Sequence, residues 1–305
     1  MIPLALVAGF LGSGKTTFLR HVSKRNNGRR LAFLVNDFAA VDVDAQLLSD
    51  LDGEIVSIPG GSVFCRCLTT TFTHALKKIL RLEPPVEGVI IEASGMADPR
   101  CLADLLRETR LDREFEITAV VALADPGTLP KLLKTLPAVR AQIECADAVL
   151  LNKTDLFDEA AIVKAENEIR GVRGDAPILR CARGEAAVDF FHGVSRACKI
   201  HAAPAPCRDA SFLSATHRFQ GSRDVAAVAS LLDRHAGILW RAKGFVPTPA
   251  GMMELQWTLR PEDTGRIEIQ PAKNKGATPA LVLIARGDAD AGLAALMNTL
   301  KEPGT

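Results

Sequence analysis

Short, almost unbroken apolar runs recur through the first 185 or so residues, and stretches with helical spacing fall between them. Residues 2–8, 31–35, 54–58, 86–92, 117–124, 148–151 and 178–179 read as strands, and residues 100–109 and 159–170 read as helices. A further helix runs through Phe18, Leu19 and Val22. Runs that are apolar throughout, rather than alternating, suit strands buried on both faces. Their alternation with helices predicts an α/β fold: a mostly parallel sheet with helices on both faces. The stretch from Lys199 to Cys207 is rich in alanine and proline, lacks a period and reads as a linker. Beyond it the pattern changes. Residues 211–219, 237–245, 252–259, 266–269 and 280–285 read as strands, Ser222 is positioned to cap a helix running to about residue 235, and a last helix covers 289–300. These form a small α+β domain. The predicted organisation is a nucleotide-binding domain over 1–197, a linker over 198–209 and the α+β domain over 210–305.

Composition narrows the class without naming it. The chain has 305 residues, 48% hydrophobic and 24% charged, enough to bury two cores. A net charge of +1 gives no reason to expect a nucleic-acid partner. No apolar run approaches the roughly 18 residues a membrane helix needs. Met1-Ile2-Pro3 leads straight into the first strand, so no signal peptide is expected and the cytoplasm is the predicted compartment. The seven cysteines, at 65, 67, 101, 145, 181, 198 and 207, are then thiols or metal ligands rather than a disulfide frame.

The first strand feeds Gly9-Phe10-Leu11-Gly12-Ser13-Gly14-Lys15-Thr16-Thr17, the pattern of a P-loop. Gly12, Ser13 and Gly14 let the backbone curl and aim N–H groups at phosphate, and the following helix offers its positive end to the same anion. Lys15 neutralises β- and γ-phosphate, the Thr16 hydroxyl ligates Mg²⁺, and Thr17 completes the phosphate-binding set. Asn152-Lys153-Thr154-Asp155 follows the strand at 148–151. Asp155 can accept from the N1–H and N2 amine of guanine, donors that adenine lacks. Asn152 can bond the purine edge, and the stem of Lys153 can cover the ring. Glu92 ends the strand at 86–92, where an acid can orient Mg²⁺, and Gly95 lets backbone approach the γ-phosphate. Asp37 ends the strand at 31–35 and either reaches the metal or the attacking water or is an ordinary turn aspartate. Lys15, Asp37 and Glu92 are the candidate catalytic residues, and Thr16, Asp37 and Glu92 the candidate magnesium ligands.

Cys65-Arg66-Cys67 places two thiolates on one side of an extended segment, a donor pair suited to Zn²⁺, Cu⁺ or Co²⁺. Two ligands do not close a site. His74, Cys101 or a second protein are candidate additions. Cys198, His201 and Cys207 form a second possible cluster, of non-standard spacing. Cys145 and Cys181 fall beside strands and read as core.

Assembled, these motifs resemble the CobW-like family of P-loop GTPases, relatives of the nickel-insertion GTPases HypB and UreG. Gly9–Thr17 is similar to the family's G-F-L-G-[SA]-G-K-T-T, and Asn36-Asp37-Phe38 with Asp44, Leu47 and Leu48 to its first switch, usually N-E-F-G…D. Glu92-Ala93-Ser94-Gly95-Met96-Ala97-Asp98-Pro99 resembles E-[TC]-[ST]-G-x-A-D-P, and Arg241-Ala242-Lys243-Gly244-Phe245 the R-[AGS]-K-G-[FI] of the C-terminal domain. Three departures stand out. The family's C-x-C-C is here Cys65-Arg66-Cys67-Leu68, position 37 is Asp where Glu is usual, and the histidine-rich tract many members carry is missing. The resemblance implies slow, partner-accelerated GTP hydrolysis with Mg²⁺, coupled to delivery of a zinc- or cobalt-class ion to a client metalloprotein or cofactor-dependent enzyme. It also implies a monomer or nucleotide-dependent dimer. Leu68 motivates an alternative, a GTP-driven chaperone or reactivator of a client enzyme that transfers no metal. A small-molecule kinase is the third reading, and Asn152–Asp155 argues against it because kinases generally use ATP.

Overall fold

The computed structural model describes residues 1–37, 48, 53–59, 64, 68–192, 195, 212–259, 264–274 and 276–302. The chain divides into two compact units, Met1–Asn36 with Asp50–Cys207, and Asp37–Ser49 with Arg208–Thr305. The predicted linker lies wholly outside the described residues.

The first unit is built on a seven-stranded sheet of order β3-β2-β4-β1-β5-β6-β7. Its strands are β1 (Ile2–Gly9), β2 (Leu31–Asp37), β3 (Glu54–Pro59), β4 (Gly88–Glu92), β5 (Phe115–Ala124), β6 (Ala148–Leu151) and β7 (Ile178–Arg180). The pairs β2/β4, β4/β1, β1/β5, β5/β6 and β6/β7 are all parallel. The helices are α1 (Lys15–Arg25), α2 (Thr69–Leu80), α3 (Leu102–Glu108), α4 (Leu129–Thr135), α5 (Pro137–Cys145) and α6 (Glu159–Val172).

Burial explains the unbroken apolar runs. Leu4 and Leu6 join a core with Phe72, Leu76 and Ile79 of α2 and with Leu102, Leu105 and Leu106 of α3. Ala5 and Val7, on the opposite face of β1, are also fully buried. The strand registers pair Val7 with Glu92, Gly9 with Leu123, and Ala124 with Leu151. The carboxyl ends of β1, β4, β5 and β6 therefore share one edge, which is where open α/β sheets bind ligands.

The second unit holds an antiparallel sheet of order β11-β10-β9-β12-β8. Its elements are β8 (Phe212–Arg218), α7 (Val225–Arg234), β9 (Leu239–Thr248), β10 (Gly251–Leu259), β11 (Gly265–Pro271), β12 (Ala280–Arg286) and α8 (Asp290–Thr299). Val228 and Leu232 of α7 and Leu293 and Leu296 of α8 pack with Leu255, Trp257, Leu281 and Leu283 of the sheet. Trp257 is fully buried and donates its indole N–H to Asp233 at 2.7 Å.

Two expectations need correction. The cap of α7 is Asp224, whose carboxylate accepts from the Ala226 N–H at 2.9 Å, and not Ser222. The helix expected at 100–109 is split: Pro99–Cys101 forms a 3₁₀ turn capped by Asp98, and the α-helix begins at Leu102. Asp98 also grips the Arg100 guanidinium through both carboxylate oxygens, at 2.9 Å and 2.6 Å, which favours the tighter turn.

Candidate nucleotide site

The P-loop occupies the turn between β1 and α1, with Gly14 as the helix cap at φ +103°. A side chain there would be strained and would collide with the Asn152 amide nitrogen. Lys15 and Thr16 are buried at 5% and 8% exposure, so their polar groups are held inside the site. The Lys15 ammonium donates to the carbonyls of Gly9 at 2.7 Å and Phe10 at 3.1 Å, which holds its charge within the curl of the loop. The Thr16 hydroxyl donates to the Glu92 carboxylate at 3.4 Å. A hydroxyl and a carboxylate at hydrogen-bonding distance are hard oxygen donors of the kind Mg²⁺ takes. Two of the three predicted magnesium ligands are thus brought together. Asp37 ends β2, two residues beyond Val35, the residue paired with Glu92. Its side chain lies outside the described residues.

The loop after β4 lies against the P-loop. The Ala93 N–H donates to the Val7 carbonyl at 3.0 Å. A Cβ on Gly95 would stand 2.6 Å from the Leu11 backbone nitrogen, so only glycine permits this approach. Gln142, buried in α5, donates to the carbonyls of Gly95 at 3.2 Å and Ala97 at 3.0 Å and braces the loop from behind.

The second predicted motif meets the first in space. The Asn152 amide nitrogen donates to the Ser13 carbonyl at 2.9 Å, across 139 residues of sequence. Its oxygen accepts from the Gly184 N–H at 2.9 Å and from the Cys181 thiol at 3.6 Å. Asn152 is therefore chiefly a brace between P-loop and the 181–184 loop, with one amide hydrogen left for a purine edge. Lys153 adopts a left-handed conformation, φ +64°, and its ammonium pairs with Asp125 at 2.7 Å, which fixes the direction of its stem. Asp155 is exposed on the 3₁₀ turn Thr154–Leu156. Thr154 ties that turn to Cys181 through bonds from its N–H at 3.2 Å and its hydroxyl at 3.0 Å.

Ser13 and Ser94, at 2% and 6% exposure, each carry a buried hydroxyl with no hydrogen-bond partner among the described residues. Buried hydroxyls without partners are costly and uncommon. Both stand in the loops around Lys15, Thr16 and Glu92, where the oxygens of a bound phosphate would supply acceptors. The residues present fit a nucleoside triphosphate and Mg²⁺.

The predicted soft-metal residues Cys65 and Cys67, and the possible cluster of Cys198, His201 and Cys207, lie outside the described residues. Among the described residues no group of three or more His, Cys, Asp or Glu is placed to hold a metal ion. Leu68, in place of a third cysteine, packs against the main core. Cys101 is buried and donates to the Asp98 carbonyl at 3.4 Å and the Phe64 carbonyl at 3.8 Å, one residue before Cys65 in sequence. Burial, with Asp98 nearby, pushes its thiol up to about 12, so it is protonated at neutral pH. Cys145 and Cys181 are buried, as predicted for core positions, and burial raises both thiols.

Residues 3–180 match the model of the CobW/HypB/UreG nucleotide-binding domain. The chain belongs to this family. Among curated relatives, the zinc chaperone CobW of Pseudomonas aeruginosa is 25% identical over 301 residues, covering 83% of this chain and 79% of its own length. The zinc chaperone YjiA of Escherichia coli is 29% identical over 188 residues, covering 60% of this chain and 58% of that one. The zinc-regulated GTPase metalloprotein activator 1 of Schizosaccharomyces pombe is 30% identical over 193 residues, covering 60% of this chain and 46% of that one.

Sequence reasoning passed over Asp125, Gln142 and the loop Cys181–Gly184. Asp125 was within reach: it follows β5 at the same sheet edge as Glu92 and Asn152. For Gln142 the signal is a polar residue inside the buried stripe of α5, between Val139 and Ile143. The 181–184 loop carries no local signature.

Proposed function

We propose that this protein binds GTP with Mg²⁺, hydrolyses it slowly, and couples the nucleotide state to delivery of zinc into a client protein. The reading is carried by the bond from Asn152 to Ser13, which joins a guanine-reading motif to a phosphate-binding loop. Gly12, Ser13, Gly14 and Thr17 with Lys15 would hold the phosphates, and Thr16, Glu92 and Asp37 would hold Mg²⁺. Lys15 offsets charge on the β- and γ-phosphate oxygens, and Mg²⁺, when bound, would supply further positive charge to the phosphates. Asp37 orients the attacking water. Gly95 admits the backbone to the terminal phosphate, and Lys153, held by Asp125, lays its stem along the base that Asp155 reads.

Zinc is favoured over cobalt because the relatives above are named zinc chaperones or zinc-regulated. Cys65 and Cys67 are the proposed ligands. The client is a metalloprotein or cofactor-dependent enzyme, met as a monomer or nucleotide-dependent dimer. No helix among the described residues is long and apolar enough to cross a membrane, and the proposed setting is the cytoplasm.

Calorimetry with Mg²⁺ tests the base reading: GTP should bind about 100-fold or more tighter than ATP, and equal affinities overturn it. Equilibrium dialysis against Zn²⁺ tests the metal reading. Stoichiometric zinc lost in Cys65→Ser/Cys67→Ser supports delivery. A wild-type chain that takes up no zinc, with or without GTP, supports the alternative of a client reactivator that moves no metal, which the core-packed Leu68 favours.

A further inference from the structure

Of the four consecutive positions 92–95, the last of β4 and the three that follow, three meet the strand, turn and helix of the P-loop. Glu92 accepts from Thr16 at 3.4 Å. Ala93 donates to Val7 at 3.0 Å. Gly95 comes so close to Leu11 that a Cβ would stand 2.6 Å from its nitrogen. The fourth, Ser94, is different. It is 6% exposed, and its hydroxyl has no hydrogen-bond partner among the described residues. Its own carbonyl accepts from the Ala97 N–H at 3.0 Å, and Gln142 ties down Gly95 and Ala97, so the loop holds the residue in place from both sides. An alanine there would avoid desolvating a hydroxyl. The cost is removed if a ligand oxygen completes the bond, and the ligand oxygens due at this spot are those of the terminal phosphate, beside the Thr16–Glu92 pair.

We propose that the Ser94 hydroxyl donates directly to the terminal phosphate of the bound nucleotide and is a group by which the site distinguishes triphosphate from diphosphate. The assignment rests on the GTP reading above and adds a residue to it. A diphosphate ends short of Ser94, so the bond is made only in the triphosphate state. As charge shifts among the phosphate oxygens during transfer, a fixed donor at this point also favours the transition state.

The test uses the full chain and its Ser94→Ala variant, with fluorescent GDP and a slowly hydrolysed GTP analogue, both with Mg²⁺. The variant should bind GDP within about twofold of wild type and the GTP analogue about 10- to 100-fold more weakly, the range for losing a hydrogen bond to a charged group. Its melting temperature without nucleotide should be equal to or above that of wild type, because an unpartnered buried hydroxyl has been removed. Unchanged affinity for the GTP analogue overturns the assignment, as does an equal loss for both nucleotides, which marks a general disturbance of the loop. A wild-type chain that binds neither nucleotide overturns the GTP reading and takes this one with it, whereas tight GTP binding that survives Ser94→Ala overturns this one alone.

Discussion

At residue 155 a single carboxylate is proposed to carry the base preference, and its chemistry can be inverted. Asp155 stands exposed on a turn that Thr154 pins to Cys181, so a change of its side chain need not disturb the fold. Asp155→Asn replaces one acceptor with an N–H donor. Guanine then loses a bond to a charged group, and xanthine, with a carbonyl where guanine has its amine, gains one. Affinity for GTP should fall about 10- to 100-fold and affinity for XTP should rise, both read by competition against a fluorescent guanine nucleotide. A loss for GTP with no gain for XTP means that the residue is a turn aspartate and not a base reader. Asn152 shows what sequence alone could deliver here. Its presence in the site was legible from four residues after a strand. Its main occupation was not, because its partners Ser13 and Gly184 lie 139 and 32 residues away. The pairing of Asp125 with Lys153 was hidden for the same reason, since the two are 28 residues apart.

Among the elements, parallel strands were the most legible. Ala148–Leu151 was read at its observed bounds, and the other strands of the first sheet end within three residues of theirs, because a strand buried on both faces must be apolar throughout. Helix starts were less so, since they depend on which of several polar residues captures the first free N–H groups: Asp224 wins over Ser222 by its bond to Ala226. Helix α5 has a second task besides packing, and Gln142 performs it. Gln142→Leu keeps the volume but leaves the Gly95 and Ala97 carbonyls without this donor, at a cost of about 1–3 kcal/mol. Denaturant unfolding should show that loss, and hydrolysis should slow with GDP affinity little changed. Full activity in the variant overturns the bracing role. In the antiparallel sheet, His217 gives a pH dependence. Burial, then Arg223 and Lys301, holds its imidazole below the usual histidine value, and its Nε2 has no partner among the described residues. The unfolded chain therefore binds more protons than the folded one as pH falls below about 6.5, so stability declines on acidification. The urea midpoint should drop between pH 7.5 and 5.5, and by less in His217→Leu. Equal drops in the two proteins assign the effect to other groups.

Over the whole molecule, chain connectivity ties the nucleotide site to the second unit. The chain passes between units at Asn36/Asp37, at Ser49/Asp50 and at Cys207/Arg208. The first crossing falls at the last residue of β2, so the segment grouped with the C-terminal unit begins with the residue we assign to Mg²⁺ and water. Leu48, near its far end, is fully buried. We propose that a terminal phosphate engaging Asp37 acts on this piece of chain; any such coupling would be reciprocal, so the second unit would in turn affect nucleotide affinity. Hydrogen exchange of the full chain, with Mg²⁺ and either GDP or a slowly hydrolysed GTP analogue, reads this directly. Peptides from the P-loop should be protected by both nucleotides. Peptides from 37–49 and from the β8–β12 sheet should differ between them, and the difference should shrink in Asp37→Ala, which retains the P-loop. Exchange in 208–305 that is the same with GDP and with the GTP analogue would mean the crossing carries no signal.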